Sequence, residues 1–257
     1  MKAKKHFGQH FLKSNEVAKN IVGGLGNIGT QNVLEIGPGM GVITQFMVNE
    51  AKSFKAVEID PDAAIYLEQK FTEIDLIKAD FLKVNLREYY ASEFSLIGNF
   101  PYNISSQIVF KILENHDLIP KWVGMFQLEM GIRLVAKPED KKQYGILSVL
   151  VPFYYQMDTM MKLPPEAFDP PPKVNSIVVK AKRKKHEWKC DSKLLKRVVK
   201  TAFGMRRKTL SNSLASIIPK EVFNQHHFST LRPENLDYLQ FEELCVFITE
   251  HVNHRDN

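Results

Sequence analysis

The sequence predicts an α/β fold with a mostly parallel sheet between helices, followed by a small all-helical C-terminal domain. Three observations carry this. Short apolar runs alternate with amphipathic stretches over the first two thirds of the chain, the pattern of βαβ units. The first of these runs breaks into Gly37-Pro38-Gly39-Met40-Gly41, a strand-to-helix turn where glycines admit a ligand close to the backbone. After about residue 183 the strand patterns give out and apolar residues recur at helical spacing. The expected division is 1–183 for a Rossmann-like ligand-binding domain and 184–257 for the helical one.

Taken in order, residues 32–36 read as a short buried strand, and 42–48 are compatible with a helix. Strand 54–59, helix 63–71 and the weaker strand 76–79 follow. Then come strand 95–98, helix 105–114 and strand 122–127. Residues 146–155 and 176–181 are β-rich. Between them the loop 163–174 holds Pro164, Pro165, Pro170, Pro171 and Pro172, which exclude regular helix and central strand. In the last third, Leu194, Leu195, Val198, Val199 and Ala202 share one helical face, as do Leu244, Phe247 and Ile248.

With 257 residues, 44% hydrophobic and 25% charged, the chain has an ordinary globular composition. No apolar run reaches the roughly 18 residues of a membrane span. The N-terminal Met1–His6 stretch lacks the apolar core of a signal peptide. The only cysteines, Cys190 and Cys245, lie far apart, which excludes a disulfide scaffold and a zinc finger and suits a reducing, cytoplasmic setting. Charge is unevenly placed. Residues 1–13 carry net +4 and residues 180–208 net +11, whereas the remainder is acidic. Such concentration marks a polyanion-binding surface.

Candidate ligand positions lie at successive strand ends. Gly37 and Gly39 close the first strand in a G-x-G-x-G spacing, not the dinucleotide G-x-G-x-x-G. Glu58 ends the second strand, 21 residues after Gly37, where a carboxylate takes both hydroxyls of a ribose. Asp80 follows the third strand and suits the exocyclic amine of adenine. No phosphate-binding lysine follows the glycines, so a Walker site is not supported. An adenosine without a pyrophosphate fits this set, and S-adenosyl-L-methionine is the expected cofactor.

The fourth strand ends in Asn99-Phe100-Pro101-Tyr102. An adenine amine is a poor nucleophile because its lone pair is delocalised into the ring. Acceptors for its N–H bonds, here the Asn99 side-chain oxygen and the Phe100 carbonyl, favour the pyramidal nitrogen that forms during attack on an electrophilic methyl. Pro101 stiffens the turn, and Tyr102 offers a face for a base to stack on. Phe168, at the start of Phe168-Asp169-Pro170-Pro171-Pro172-Lys173-Val174, is a candidate for the opposite face. A base that must leave its stack to react favours RNA or single-stranded substrate.

Five segments occur in a recognisable order: Phe7-Gly8-Gln9-His10-Phe11-Leu12, Glu35-Ile36-Gly37-Pro38-Gly39, Asn99 to Ser105, Phe168 to Ser176, and Arg206-Arg207-Lys208-Thr209-Leu210. Together, over nearly the whole chain, they resemble the rRNA adenine N6-dimethyltransferases, most of all the bacterial small-subunit type. The resemblance implies a Rossmann-like class I methyltransferase domain with the helical domain behind it. It implies dimethylation of two adjacent adenines in the 3′-terminal hairpin loop of small-subunit rRNA. The partner would be that rRNA within a pre-ribosomal particle, met by a monomer. Its cofactor positions fall on His10, Leu12, Gly37, Gly39, Glu58, Asp80 and Asn99.

Lys182, Arg183, Lys184 and Lys185, the helical Lys193, Lys196, Arg197 and Lys200, and Arg206, Arg207 and Lys208 would grip the rRNA. Three departures stand out. His10 replaces a common Asn, Phe100 a common Leu, and Gly204-Met205 precede the basic triplet. The alternatives are a large-subunit enzyme of the macrolide-resistance type and a non-catalytic rRNA-binding assembly factor. The triple proline and the Arg206 to Leu214 run look more like the small-subunit type. The glycines, Glu58, Asp80 and Asn99 argue for catalysis.

Overall fold

Local chemistry explains where the helices begin. Ser14 accepts a hydrogen bond from the Val17 N–H at 3.3 Å, Asp60 from Asp62 at 3.1 Å, and Asp191 from Leu194 at 2.9 Å. Each cap satisfies a backbone donor that the first helical turn leaves open, worth about 1 kcal/mol. The computed structural model describes Lys4 and residues 7–252, so Lys2 and Lys5 of the basic N-terminal segment lie outside the described residues.

In chain order the elements are β1 (Phe11–Leu12), α1 (Asn15–Gly23), β2 (Asn32–Ile36), β3 (Ser53–Glu58), α2 (Pro61–Lys70), β4 (Asp75–Lys78) and α3 (Leu86–Tyr89). Next come β5 (Ser95–Asn99), α4 (Ser105–Glu114), β6 (Lys121–Gln127), α5 (Leu128–Val135), α6 (Ile146–Tyr154), β7 (Tyr155–Leu163), β8 (Phe168–Asp169) and β9 (Ser176–Arg183). The chain ends with α7 (Ser192–Gly204), α8 (Leu210–Ser213), α9 (Lys220–Phe223) and α10 (Tyr238–Val252).

A seven-stranded sheet runs β4-β3-β2-β5-β6-β9-β7. Strands β2 to β6 are mutually parallel, and β9 is antiparallel to β6. The register pairs Ile36 with Val57 and Gly98, and Glu58 with Lys78. The C-terminal ends of β2, β3, β4 and β5 therefore emerge along one edge. The strand order reverses between β2 and β5, where doubly wound sheets bind their ligands.

The chain divides into two compact units. One comprises the N-terminal stretch to Gly131 with Gln156–Arg183, and the other Ile132–Tyr155 with the chain from Lys184 onward. This differs from a division at residue 183, because 132–155 join the C-terminal helices. Of residues 146–155, expected as strand, 146–154 form the helix α6, which packs against α7 and α10. Ser148 Oγ accepts from the Gly145 N–H at 2.9 Å and donates to the Arg133 carbonyl at 2.6 Å, starting the helix despite Pro152 further on. A short continuous apolar run fits a buried strand or a buried helix equally, and packing decides.

Strand β7 was not expected. It is an edge strand, half-exposed along its length, and carries little apolar pattern. The helix expected at 42–48 is a mixed run of i−3 and i−4 turns with a 3-10 segment at Thr44–Phe46. Both cysteines are free thiols. Among the described residues, no helix is long and apolar enough to cross a membrane.

Candidate active site

A cleft of about 330 Å³ opens at the strand edge, lined by residues 7–11, 36–39, 57–59, 79–82 and 99–104. That volume suits a small organic ligand. It draws together His10, Gly37, Gly39, Glu58, Asp80, Asn99, Phe100, Pro101 and Tyr102, residues dispersed over the first hundred positions of the sequence.

The glycine turn has positive φ at Gly37 (63°) and Gly39 (58°). A Cβ at Gly37 would meet nothing within 4 Å, so this backbone faces open space in the cleft, whereas one at Gly39 would strike the Phe11 ring at 2.9 Å. Glu58, 5% exposed, accepts the Gly39 N–H at 3.1 Å on Oε2 and the Asp60 N–H at 2.9 Å on Oε1. Burial pushes its pKa up, and these backbone bonds pull it back. A carboxylate has about four lone-pair sites, so both oxygens retain capacity for ribose hydroxyls. Ile59, next in the chain and 49% exposed, gives the cleft an apolar wall. Asp80 Oδ1 accepts the Leu82 N–H at 2.9 Å, which tightens the loop after β4. The open glycine backbone, the buried carboxylate, the apolar wall and a second acid together fit an adenosine.

Beneath the turn, Glu35 is fully buried and accepts a hydrogen bond from Thr44 Oγ1 at 2.7 Å. Burial raises its pKa to about 8; the Thr44 bond opposes this and the Glu58 charge adds to it. Glu35 therefore holds its proton at neutral pH.

At the end of β5, Asn99 Nδ2 donates to the His10 carbonyl at 2.7 Å. That bond commits the amide's nitrogen end to the main chain and assigns the acceptor role to Oδ1. The Phe100 side chain is fully buried, edge-on to Phe126 at 5.1 Å. A Cβ at Gly98 would lie 2.9 Å from the Phe100 ring and one at Gly124 2.5 Å, so these two glycines make room for the larger ring. Phe100 thus anchors the motif in the core, and its main chain is the part available to the cleft. The Tyr102 hydroxyl pairs with Ser176 Oγ at 2.5 Å. The His10 ring stacks on Tyr102 with centroids 5.4 Å apart and donates from Nδ1 to the Pro170 carbonyl at 2.7 Å. His10 thereby ties the N-terminal segment to both the Asn99 turn and the proline loop.

Two expected site residues do not line the cleft. Leu12 pairs with Phe168 across the β1–β8 ladder, and both are core residues, Phe168 being 1% exposed. Phe168 sits in the core and off the cleft wall in this arrangement. Phe11 takes the lining position instead of Leu12.

Sequence reasoning also missed Gln9 and Asp60. Gln9 Nε2 donates to Asp60 Oδ2 at 2.8 Å, and Lys4 Nζ to Asp60 Oδ1 at 2.6 Å. Burial disfavours the charge on Asp60, but the bonds from Lys4, Gln9 and the Asp62 N–H outweigh it and hold its pKa below the usual carboxylate range. These bonds fasten the N-terminal segment at the rim of the cleft. The available signal was Asp60-Pro61 directly after a strand, the mark of a helix N-cap.

The basic residues divide into two sets. Lys182, Lys185, Lys193, Arg197, Lys200, Arg207 and Lys208 are exposed, and Lys196 is half-buried on the same helix as Lys193. On α7 the cationic face lies opposite the buried Leu195, Val198, Val199 and Ala202. The other three are partly buried and make these bonds within the protein. Arg183 bonds the carbonyls of His116 and Asp117 and the carboxylate of Glu93. Lys184 bonds the Pro152 carbonyl and lies 4.0 Å over the Tyr238 ring. Arg206 donates to Glu234 at 2.6 Å and to the Lys141 carbonyl.

A family model for ribosomal RNA adenine dimethylases matches residues 1–251. The ribosomal RNA small subunit methyltransferase A of Parabacteroides distasonis is 43% identical, covering 98% of this chain and 96% of that protein. The like-named protein of Cytophaga hutchinsonii is 44% identical, with 97% and 98% covered. Among solved structures, a dimethyladenosine transferase from Plasmodium falciparum matches with a TM-score of 0.81 at 22% identity, covering 96% of this chain and 98% of that one. The 23S rRNA methyltransferase ErmE matches at 0.67 and 24% identity, with 91% and 99% covered. The two structural likenesses are of fold.

Proposed function

The chain belongs to the ribosomal RNA adenine dimethylase family, and on that premise we propose that it dimethylates N6 of two adjacent adenines in the 3′-terminal hairpin loop of small-subunit rRNA. It is an S-adenosyl-L-methionine-dependent rRNA methyltransferase. The reading is carried by the convergence of Gly37, Glu58 and Asp80 with the Asn99-Phe100-Pro101-Tyr102 turn on one cleft. The small-subunit substrate is favoured over the large-subunit one by relatives 43–44% identical over nearly the whole chain.

When bound, the cofactor supplies an electrophilic sulfonium methyl. Gly37 and Gly39 would face its methionine portion with backbone, Glu58 would take the ribose, and Asp80 the adenine amine. Asn99 Oδ1 and the Phe100 carbonyl accept the two N–H bonds of the target amine and direct its nitrogen lone pair out of conjugation. Tyr102, its hydroxyl held by Ser176, supports the base by stacking. The amine's proton becomes acidic only as the new C–N bond forms, so no strong buried base is needed. Product release returns the cleft for a second transfer to the same nitrogen.

The rRNA would be engaged within a pre-ribosomal particle in the cytoplasm, by a monomer that meets the phosphates through the exposed cations of 182–208. The test is methyl transfer from labelled S-adenosyl-L-methionine to unmethylated small and large ribosomal subunits in parallel, with the labelled nucleotides mapped. Dimethyladenosine confined to an adjacent pair in the small-subunit hairpin is expected. Label in the large subunit would overturn the substrate assignment.

Among the basic residues, Arg207 and Lys208 are the informative pair, because both are exposed and Arg206 is held by Glu234. Arg207→Glu/Lys208→Glu is expected to weaken small-subunit binding roughly 10–100-fold and to lower the salt slope by about 2. Filter binding at several salt concentrations measures both, and unchanged affinity at moderate salt refutes the contact.

A further inference from the structure

We propose that Lys111 is the positioning residue of the base-recognition loop after β4: it gathers the carbonyls of that loop and thereby sets Asp80 to accept the amine of the cofactor's adenine. The proposal rests on the reading of the cleft as an S-adenosyl-L-methionine site.

Lys111 lies on α4, the helix that starts just beyond the Asn99–Tyr102 turn. Its ammonium group donates to the carbonyls of Phe81 at 2.7 Å, Leu82 at 3.0 Å and Val84. An ammonium has three protons, and the loop takes all three. The Phe81 ring adds a cation–π contact at 5.1 Å.

The loop is wound tightly around Asp80. Its carbonyl accepts the N–H groups of Lys83 at 2.9 Å and Val84 at 3.2 Å, while its side chain accepts that of Leu82. Winding of this kind turns the carbonyl dipoles of Phe81, Leu82 and Val84 toward one cation, where without it they would repel one another. A cation at that point converts the repulsion into attraction, as at the C-terminus of a helix. Ala79 to Leu82 of the same loop line the cleft, and Lys111 does not. Lys111 touches no position a ligand would occupy and acts through the loop alone. Burial works against its charge, and Asp80 and Glu114 work for it.

A cation that only stabilised the fold would affect every ligand of the cleft alike. One that places Asp80 affects only ligands bearing the 6-amino group. The experiment is calorimetric binding of S-adenosylhomocysteine and of S-inosylhomocysteine, which has a 6-oxo group in its place. Wild type is expected to prefer the adenosyl compound by about 10-fold or more, the cost of leaving the half-buried Asp80 acceptor without its amine.

Lys111→Met is expected to lose most of that preference through weaker adenosyl binding, with inosyl binding nearly unchanged and a folded melting profile. Lys111→Arg, which keeps charge and donors, is expected to restore it in part. Asp80→Asn is the control and is expected to lose the preference too. Loss of preference in Asp80→Asn with wild-type preference in Lys111→Met overturns the role of Lys111. Equal weakening of both ligands in Lys111→Met overturns it as well. Wild-type preference in Asp80→Asn means instead that the base reading of the cleft is wrong. If Lys111→Met melts below the assay temperature, Lys111→Gln is read the same way.

Discussion

Asn99→Ala is expected to slow methyl transfer by about 10³-fold while leaving cofactor affinity within about tenfold of wild type. The asymmetry follows from where Asn99 sits. Its amide nitrogen is bound to the His10 carbonyl at 2.7 Å, so the side chain cannot rotate without breaking that bond. Its oxygen is thereby a pre-oriented acceptor, and the target amine needs it most as its nitrogen becomes pyramidal. An interaction that strengthens toward the transition state lowers the rate when removed, more than it lowers ground-state affinity. In the proposed mode of binding, cofactor affinity rests mainly on Glu58, Asp80 and the glycine turn, which alanine at position 99 leaves in place. Single-turnover transfer to small subunits, with calorimetric cofactor binding alongside, separates the two quantities. Turnover within tenfold of wild type would exclude Asn99 as the acceptor.

Glu35→Gln is expected to gain stability over wild type as pH rises from 5 to 8, by about 3–5 kcal/mol across that range. In the folded chain Glu35 keeps its proton up to about pH 8, against an ordinary value of 4.5. Between those values the unfolded chain releases a proton that the folded chain retains. Wild-type stability therefore carries a penalty that is absent below about pH 4.5, grows with pH and levels off above 8. Glutamine cannot ionise, fills nearly the same volume and still accepts from Thr44 Oγ1. Urea unfolding of both proteins at pH 5, 6.5 and 8 measures the difference. Parallel pH dependence would show that Glu35 is ionised in the folded chain.

The parallel core of the sheet was legible because parallel strands are buried on both faces and read as plain apolar runs. Strands β2, β3, β5 and β6 begin or end within a residue or two of the expected positions, and α4 spans the expected 105–114. Legibility failed where two structures share one pattern. The run 146–154 is apolar but for Ser148, and its packing against α7 and α10 together with the Ser148 bonds makes it a helix. Strand β7 lies at an edge, where half its side chains face water and no alternation survives.

The site divides in the same way. Gly37, Glu58, Asp80 and Asn99 were legible because each stands at or just beyond a strand end, and a doubly wound sheet brings strand ends to one crevice. Phe168 and Leu12 do not line the cleft, because spacing shows that a residue is near a site but not which way its side chain turns. In the fold these two pack against the core. The basic run was legible as charge, but not the ties of Arg183, Lys184 and Arg206 to internal partners.

The sequence by itself determined the class of fold, the strand-end residues that line the cleft and the concentration of positive charge, because these depend on periodicity and order along the chain. Only the tertiary structure decided that His10 orients Asn99, that Lys4 and Gln9 fasten the N-terminal segment to Asp60, and that Lys111 gathers the loop behind Asp80. Each of these joins residues 27 or more positions apart. A hydrogen bond needs its partners within about 3 Å, and no pattern along the chain encodes that distance until the sheet has brought the segments together.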